Sequence, residues 1–192
     1  KLAELQLRHS EERFRLIVEN APVAIGIWSE NGALHYVSSA IETNLGVTPA
    51  ELIEALATLQ AHAVELAAAE LTRDRLALLG IDDSAYVHAG LRAVEAVRYC
   101  LAHRGEKVRI EETLPGAGGR AIDMLFIYQA FAYNTTGSEV VTVAYDISEH
   151  RALERLLRET NSELERQVAA RTAQLEETVA ELRRANAGKD AF

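Results

Sequence analysis

R-A-I-D-M-L-F-I-Y-Q-A-F-A-Y, Arg120 to Tyr133, is the stretch on which the fold turns. Met124, Leu125, Phe126, Ile127 and Tyr128 follow one another without a polar break. A strand buried on one face alternates apolar and polar residues; an unbroken apolar run predicts a central strand of a sheet covered on both sides. Strands are expected on either side of it, Lys107 to Leu114 and Glu139 to Ile147. The turns between them, Pro115 to Gly119 and Asn134 to Gly137, are short, so the three strands form an antiparallel meander. One cover of this sheet is expected from helices in the middle of the chain, the other from the N-terminal helix or from a partner subunit.

Those helices are announced by their ends. Thr48-Pro49-Ala50-Glu51 combines a capping box with proline at the first helical position. The helix it opens carries Leu52, Leu56, Leu59, Ala63 and Leu66 on one face, and Gly80 ends the segment. Asp82 or Asp83 then caps a second helix, with Val87, Leu91, Val94, Val97 or Arg98, and Leu101 on its face and Gly105 after it. Further upstream, V-A-I-G-I-W-S and A-L-H-Y-V-S flank Asn31-Gly32, a strong hairpin signal. A short helix from Ser39 to Leu45 stops at Gly46. Lys1 to Asn20 has a helical stripe that ends before Pro22. The sum is an α+β fold: a five-stranded antiparallel sheet with helices, flanked by an N-terminal helix and a long C-terminal one.

The C-terminal helix has its own pattern. From Asp146 to Phe192 there is no proline, and Glu, Arg, Ala and Leu dominate. Leu157, Leu164, Val168, Leu175, Val179 and Leu182 form one narrow apolar seam. A seam that narrow suits a coiled-coil partner better than a globular core. A strict heptad would place Arg171 inward; the apolar positions instead resume at Leu175, the phase shift of a four-residue stutter. Such a point serves a rod that transmits rotation or sliding, and it is equally open to sequence drift in a passive linker.

Composition narrows the function classes. The chain has 192 residues and a net charge of −9. Glu149 to Phe192 holds nine acids and eight bases, so nearly all of that charge lies before the coil. An acidic body without a basic patch argues against nucleic acid binding. One cysteine, Cys100, permits no intrachain disulfide and suggests a reducing, cytoplasmic setting. No apolar run is long enough to span a membrane, so no membrane contact is expected. There is no phosphate loop, nucleophile elbow, H-E-x-x-H or C-x-x-C, so no catalytic or metal site is expected. Both ends fall inside helical pattern, which suggests part of something longer.

The element order resembles a PAS domain, and so do particular stretches. S-E-E-R-F-R-L-I-V-E-N-A-P-V-A-I (Ser10 to Ile25) resembles the way such domains begin. G-A-L-H-Y-V-S-S-A-I-E-T-N-L-G (Gly32 to Gly46) resembles the second strand and first core helix, with Ser38 where many relatives have asparagine. Asp146-Ile147-Ser148 matches the exit motif, and Asp146 and Glu149 have capping-box spacing. L-E-R-Q-V-A-A-R-T-A-Q-L-E (Leu164 to Glu176) is similar to a signalling helix between sensor and output domains. Arg183 to Phe192 resembles the start of the dimerisation helix of a sensor histidine kinase. The resemblance implies three parts: a flanking helix over 1–21, a PAS sensor over 22–148 with an enlarged helical segment over 50–82, and a signalling-helix coiled coil over 149–192.

Candidate site residues follow. An apolar pocket is expected from Ile25 and Ile27 of the first strand, Met124, Phe126 and Tyr128 of the long strand, and Val141 and Val143 of the last. Ordinary core packing explains each of these equally well. Signal relay falls to Asp146, Ile147, Ser148 and Arg171. His88 is the candidate axial ligand for haem, weighed against a core or surface histidine; Cys100 lies outside any N-C-R-F-L-Q flavin motif, so no flavin adduct is expected. His150 is a surface helix residue rather than a phosphoacceptor. The expected function is a sensory module that homodimerises through a parallel coiled coil and relays a signal to a histidine kinase output domain. The alternatives are a ligand-free dimerisation spacer and a PAS sensor of a nucleotide cyclase.

Overall fold

The computed structural model describes residues 2–67, 85–132 and 137–189. In chain order these form α1 (Leu2–Glu19), β1 (Ala24–Trp28), β2 (Leu34–Val37), α2 (Ala40–Leu45), α3 (Pro49–Ala67), α4 (Ala85–Ala102), β3 (Lys107–Pro115), β4 (Ala121–Ala132), β5 (Ser138–Asp146) and α5 (Ser148–Lys189). The chain divides into two units, Lys1–Ser148 and Glu149–Phe192. The part of the helical segment beyond residue 67, with the expected cap at Asp82 or Asp83, lies outside the described residues, as does most of the turn at Asn134.

The first unit is α+β. Its sheet has five strands in the order β2-β1-β5-β4-β3, every paired neighbour antiparallel. β3, β4 and β5 form the expected meander, and β1 joins it by pairing with β5. β5 is therefore the central strand, and β4 lies one place toward the edge. The expectation of cover on both sides of β4 also changes. Ile122, Met124, Tyr128 and Ala130 are buried, whereas Leu125 and Ile127 are half-buried and Phe131 is exposed. Among the described residues α3 and α4 cover one face and the other stays half-buried, and α1 leaves Phe14, Leu16 and Ile17 in solvent.

The local signals act as their chemistry requires. At the start of α3, the Thr48 N–H donates to Glu51 Oε2 at 2.8 Å and the Glu51 N–H to Thr48 Oγ1 at 3.3 Å, which satisfies two otherwise orphan donors. α2 ends at Gly46, whose φ of +74° is the left-handed conformation that lets its N–H bond Glu42 O at 2.9 Å. At the β1–β2 hairpin the Ser29 N–H donates to Ala33 O at 2.8 Å, with Gly32 at φ +83° inside the turn. Ser38 is fully buried because it pairs twice with Ile25: its N–H donates to Ile25 O at 2.9 Å, and its Oγ accepts the Ile25 N–H at 3.0 Å.

Candidate functional site

The helical layer and the sheet enclose a cavity of about 690 Å³, within the usual range for small-molecule sites. Its floor is one face of the sheet: Ala24, Gly26 and Trp28 of β1, Phe126 and Tyr128 of β4, Thr142 and Ala144 of β5. Register brings these together, since Gly26 pairs with Thr142 and Tyr128 pairs with Thr142 from the other side. Leu56 and Leu59 of α3 and Val87, Gly90 and Ala93 of α4 form the opposite wall. A Cβ on Gly90 would lie 2.6 Å from Leu59 Cδ1, so the two helices approach there only because α4 carries no side chain. Glu51, Ala55 and Thr58 line the cavity and are also exposed, so it opens along α3.

Few polar groups face this space, and their hydrogen bonds are specific. Trp28 Nε1–H donates to Thr142 Oγ1 at 2.6 Å in the buried floor. The Trp28 and Tyr128 rings are tilted with centroids 6.4 Å apart, and Phe126 stacks by Tyr128 at 6.5 Å, within the range of favourable aromatic pairs. Tyr128 is 2% exposed, and burial pushes its phenol well above its ordinary value, so it is a neutral hydroxyl at any physiological pH. Glu112 forms a two-pronged ion pair with the Arg92 guanidinium. Glu51 accepts from both the N–H and the hydroxyl of Thr48, bonds that hold its carboxyl below the usual range.

At the exit from β5, backbone and side chains lock the chain to β4. The Ile147 N–H donates to Asp123 O at 2.7 Å, and the Asp123 N–H donates to Ser148 Oγ at 2.8 Å. Asp146 Oδ1 accepts the Ser148 N–H at 2.9 Å. The cap therefore closes one residue earlier than the spacing to Glu149 predicts. The bonds to Ser148, assisted by the charge of Arg120, hold the Asp146 carboxyl below its ordinary value.

Residues 12–62 match the family model of the PAS fold. The matched stretch runs from within α1 into α3 and contributes both β1 of the cavity floor and α3 of its opposite wall, and the α+β architecture is consistent with the PAS fold. Solved structures similar to the chain include the PAS domain of an HTR-like protein from Haloarcula marismortui, at TM-score 0.40 and 15% identity over 76% of this chain and 98% of that one. A domain of a sensory box sensor histidine kinase/response regulator from Geobacter sulfurreducens gives TM-score 0.38 and 20% identity over 73% and 96%. A sensory box histidine kinase/response regulator from Burkholderia thailandensis gives 0.40 and 19% over 80% and 98%. No curated protein matches the chain.

Within the first unit the expected pocket residues separate. Phe126 and Tyr128 line the cavity; Met124 shares their face and is fully buried in the core without lining it. Ile25, Ile27, Val141 and Val143 do not line it. They pair with one another across β1 and β5, Ile25 with Val143 and Ile27 with Val141, on the opposite face, where each is half-buried. The reason is parity. Phe126 pairs with Ala144 and Tyr128 with Thr142, so the cavity takes the even-numbered residues of β5 and not the valines. Trp28, Thr142, Gly26 and Gly90 were not anticipated as lining. A glycine inside a strand or a helix does signal close approach or open space, and Gly26 and Gly90 carried that signal.

His88 is half-buried and absent from the cavity lining. Among the described residues, no three His, Cys, Asp or Glu side chains gather as a metal site. Cys100 is fully buried, its thiol donating to Tyr128 O at 3.6 Å, and burial raises its pKa. The described residues of the second unit belong to one continuous helix, α5, of 42 residues. Leu157, Leu164, Val168, Leu175, Val179, Leu182 and Arg171 are all exposed along it. Ion pairs at helical spacing stitch its surface, among them Arg166 to Glu163 at 2.6 Å. No described helix is long and apolar enough to cross a membrane.

Proposed function

We propose that this chain is a sensory PAS module that binds a small molecule, dimerises in parallel through α5, and relays the signal to a histidine kinase output domain in a cytoplasmic setting. The observation that carries the reading is the pairing of an apolar cavity with a 42-residue helix whose apolar seam is exposed. A lone helix of that kind is poorly stable in water, and a second copy would bury the seam. Residues 12–62 and the exit motif support the sensory part. The open cavity favours a sensor over a ligand-free spacer. In the same reading Asp146, Ile147 and Ser148 couple the sheet to the helix, and Arg171 marks the stutter where the coil has two arrangements of similar energy.

Sedimentation tests the dimer: a monomer at micromolar concentration overturns it. Phosphorylation of the full-length protein, with and without stimulus, tests the relay. Arg171→Leu should lock it in one state, and an undiminished response would make the coil a spacer only. A cyclase activity in the full-length protein would replace the kinase with the alternative output.

A further inference from the structure

The cavity's chemistry restricts what it can hold, and this restriction rests on its reading as a ligand site. Among the described residues its lining includes no Lys, Arg or His. The two acids it does include are both engaged. Glu112 is held by Arg92, and Glu51 closes the capping box of α3. Among the described residues an anionic ligand would therefore find no free cation in the lining, and it would meet two carboxylates. Glu112, already neutralised by Arg92, and Glu51, held out at the exposed mouth, leave no unpaired carboxylate in the buried floor for a cationic ligand. A buried charge without a partner is strongly disfavoured.

The polar groups that remain are neutral. The Tyr128 phenol stays protonated, and the Trp28 N–H is already given to Thr142. Two further lining hydroxyls are engaged with backbone, Thr58 donating to Glu54 O and Tyr86 to Pro115 O; the remaining lining is aliphatic or aromatic, and its volume comes from small residues: Gly26, Ala144, Gly90 and Ala93. We infer that the ligand is an uncharged, predominantly apolar molecule of drug size, with at most one or two polar atoms placed beside Tyr128. The described lining disfavours carboxylates, phosphates and amines of the same shape.

A length-matched series tests the inference: 1-decanol, decanoate and decylammonium, at pH 7 and below their micelle thresholds. The chain has one tryptophan, Trp28, and it lies in the cavity floor, so its fluorescence reports occupancy directly. Decanol should change that fluorescence and raise the melting temperature at concentrations at least about tenfold below those needed with either ion. An ion that binds as tightly as decanol overturns the ligand class and leaves the cavity a ligand site. If none of the three acts on Trp28 or on melting, the ligand-site reading itself falls. Ala93→Leu fills the space from the helix side and Gly26→Val from the sheet side. Either variant, once shown to be folded by circular dichroism, should abolish the decanol response. An undiminished response in a folded variant would place decanol elsewhere and overturn the inference.

Discussion

The two faces of the sheet are built from nearly the same residue types, yet they have different fates. On one face Met124, Tyr128, Val140, Thr142 and Ala144 are buried beneath α3 and α4. On the other, one residue along, Ile25, Ile27, Leu125, Ile127, Val141 and Val143 are only half-buried. Hydrophobicity ranks Val141 and Val143 above Thr142, but Thr142 is the one inside. Its hydroxyl accepts the Trp28 N–H, so a polar side chain is buried with its bond made. Side-chain parity places a residue on a face, and parity belongs to the register between strands rather than to any residue alone.

The contrast breaks most visibly at Met124. Met124→Ala removes a fully buried side chain and should cost about 2–5 kcal/mol in urea unfolding. Ser38→Ala strips the buried acceptor from the Ile25 N–H and should cost about 1–3 kcal/mol, again by urea unfolding. A smaller loss would mean that Ser38 fits this position for its size rather than its hydroxyl.

Asp146→Ala should cost about 1 kcal/mol at pH 7, from the lost cap alone. Its folded pKa lies below the ordinary value of 3.8, so folding favours the carboxylate. The contribution is complete above the unfolded value and is lost as pH falls through the folded one. The gap between wild type and Asp146→Ala should therefore close in acid, below the ordinary aspartate pKa. A gap that persists there would assign the loss to packing. In the full-length protein the same substitution should uncouple stimulus from output.

Ile127→Ala should have the smallest effect, under about 1 kcal/mol in dilute protein, because its face is only half-covered. A cost near that of Met124→Ala would show that a second copy covers this face, and the cost should then grow with protein concentration.

Most of the fold was legible because its signals are local. The capping box at Thr48, the proline at Pro49, the turn at Gly32 and the stop at Gly46 each act through bonds within a few residues. The candidate site was less legible. Of the residues an apolar run suggests for it, Phe126 and Tyr128 line the cavity, whereas Ile25, Ile27, Val141 and Val143 lie on the other face of the sheet. In strands that are apolar on both faces, period two carries no information about which side faces in.

The sequence alone determined the element order, the antiparallel meander, the narrow seam of α5 and the absence of known catalytic motifs. These follow from periodicity and turn chemistry, which depend on neighbours along the chain. Only the tertiary structure decided that β5 is central, that the described residues leave one face of the sheet half-buried, and that glycines and alanines from distant elements leave a cavity between helix and sheet. Those outcomes depend on the pairing of β1 with β5, more than a hundred residues apart, and on the close approach of α3 to α4 at Gly90. No local pattern encodes such contacts; they exist only when the whole chain packs.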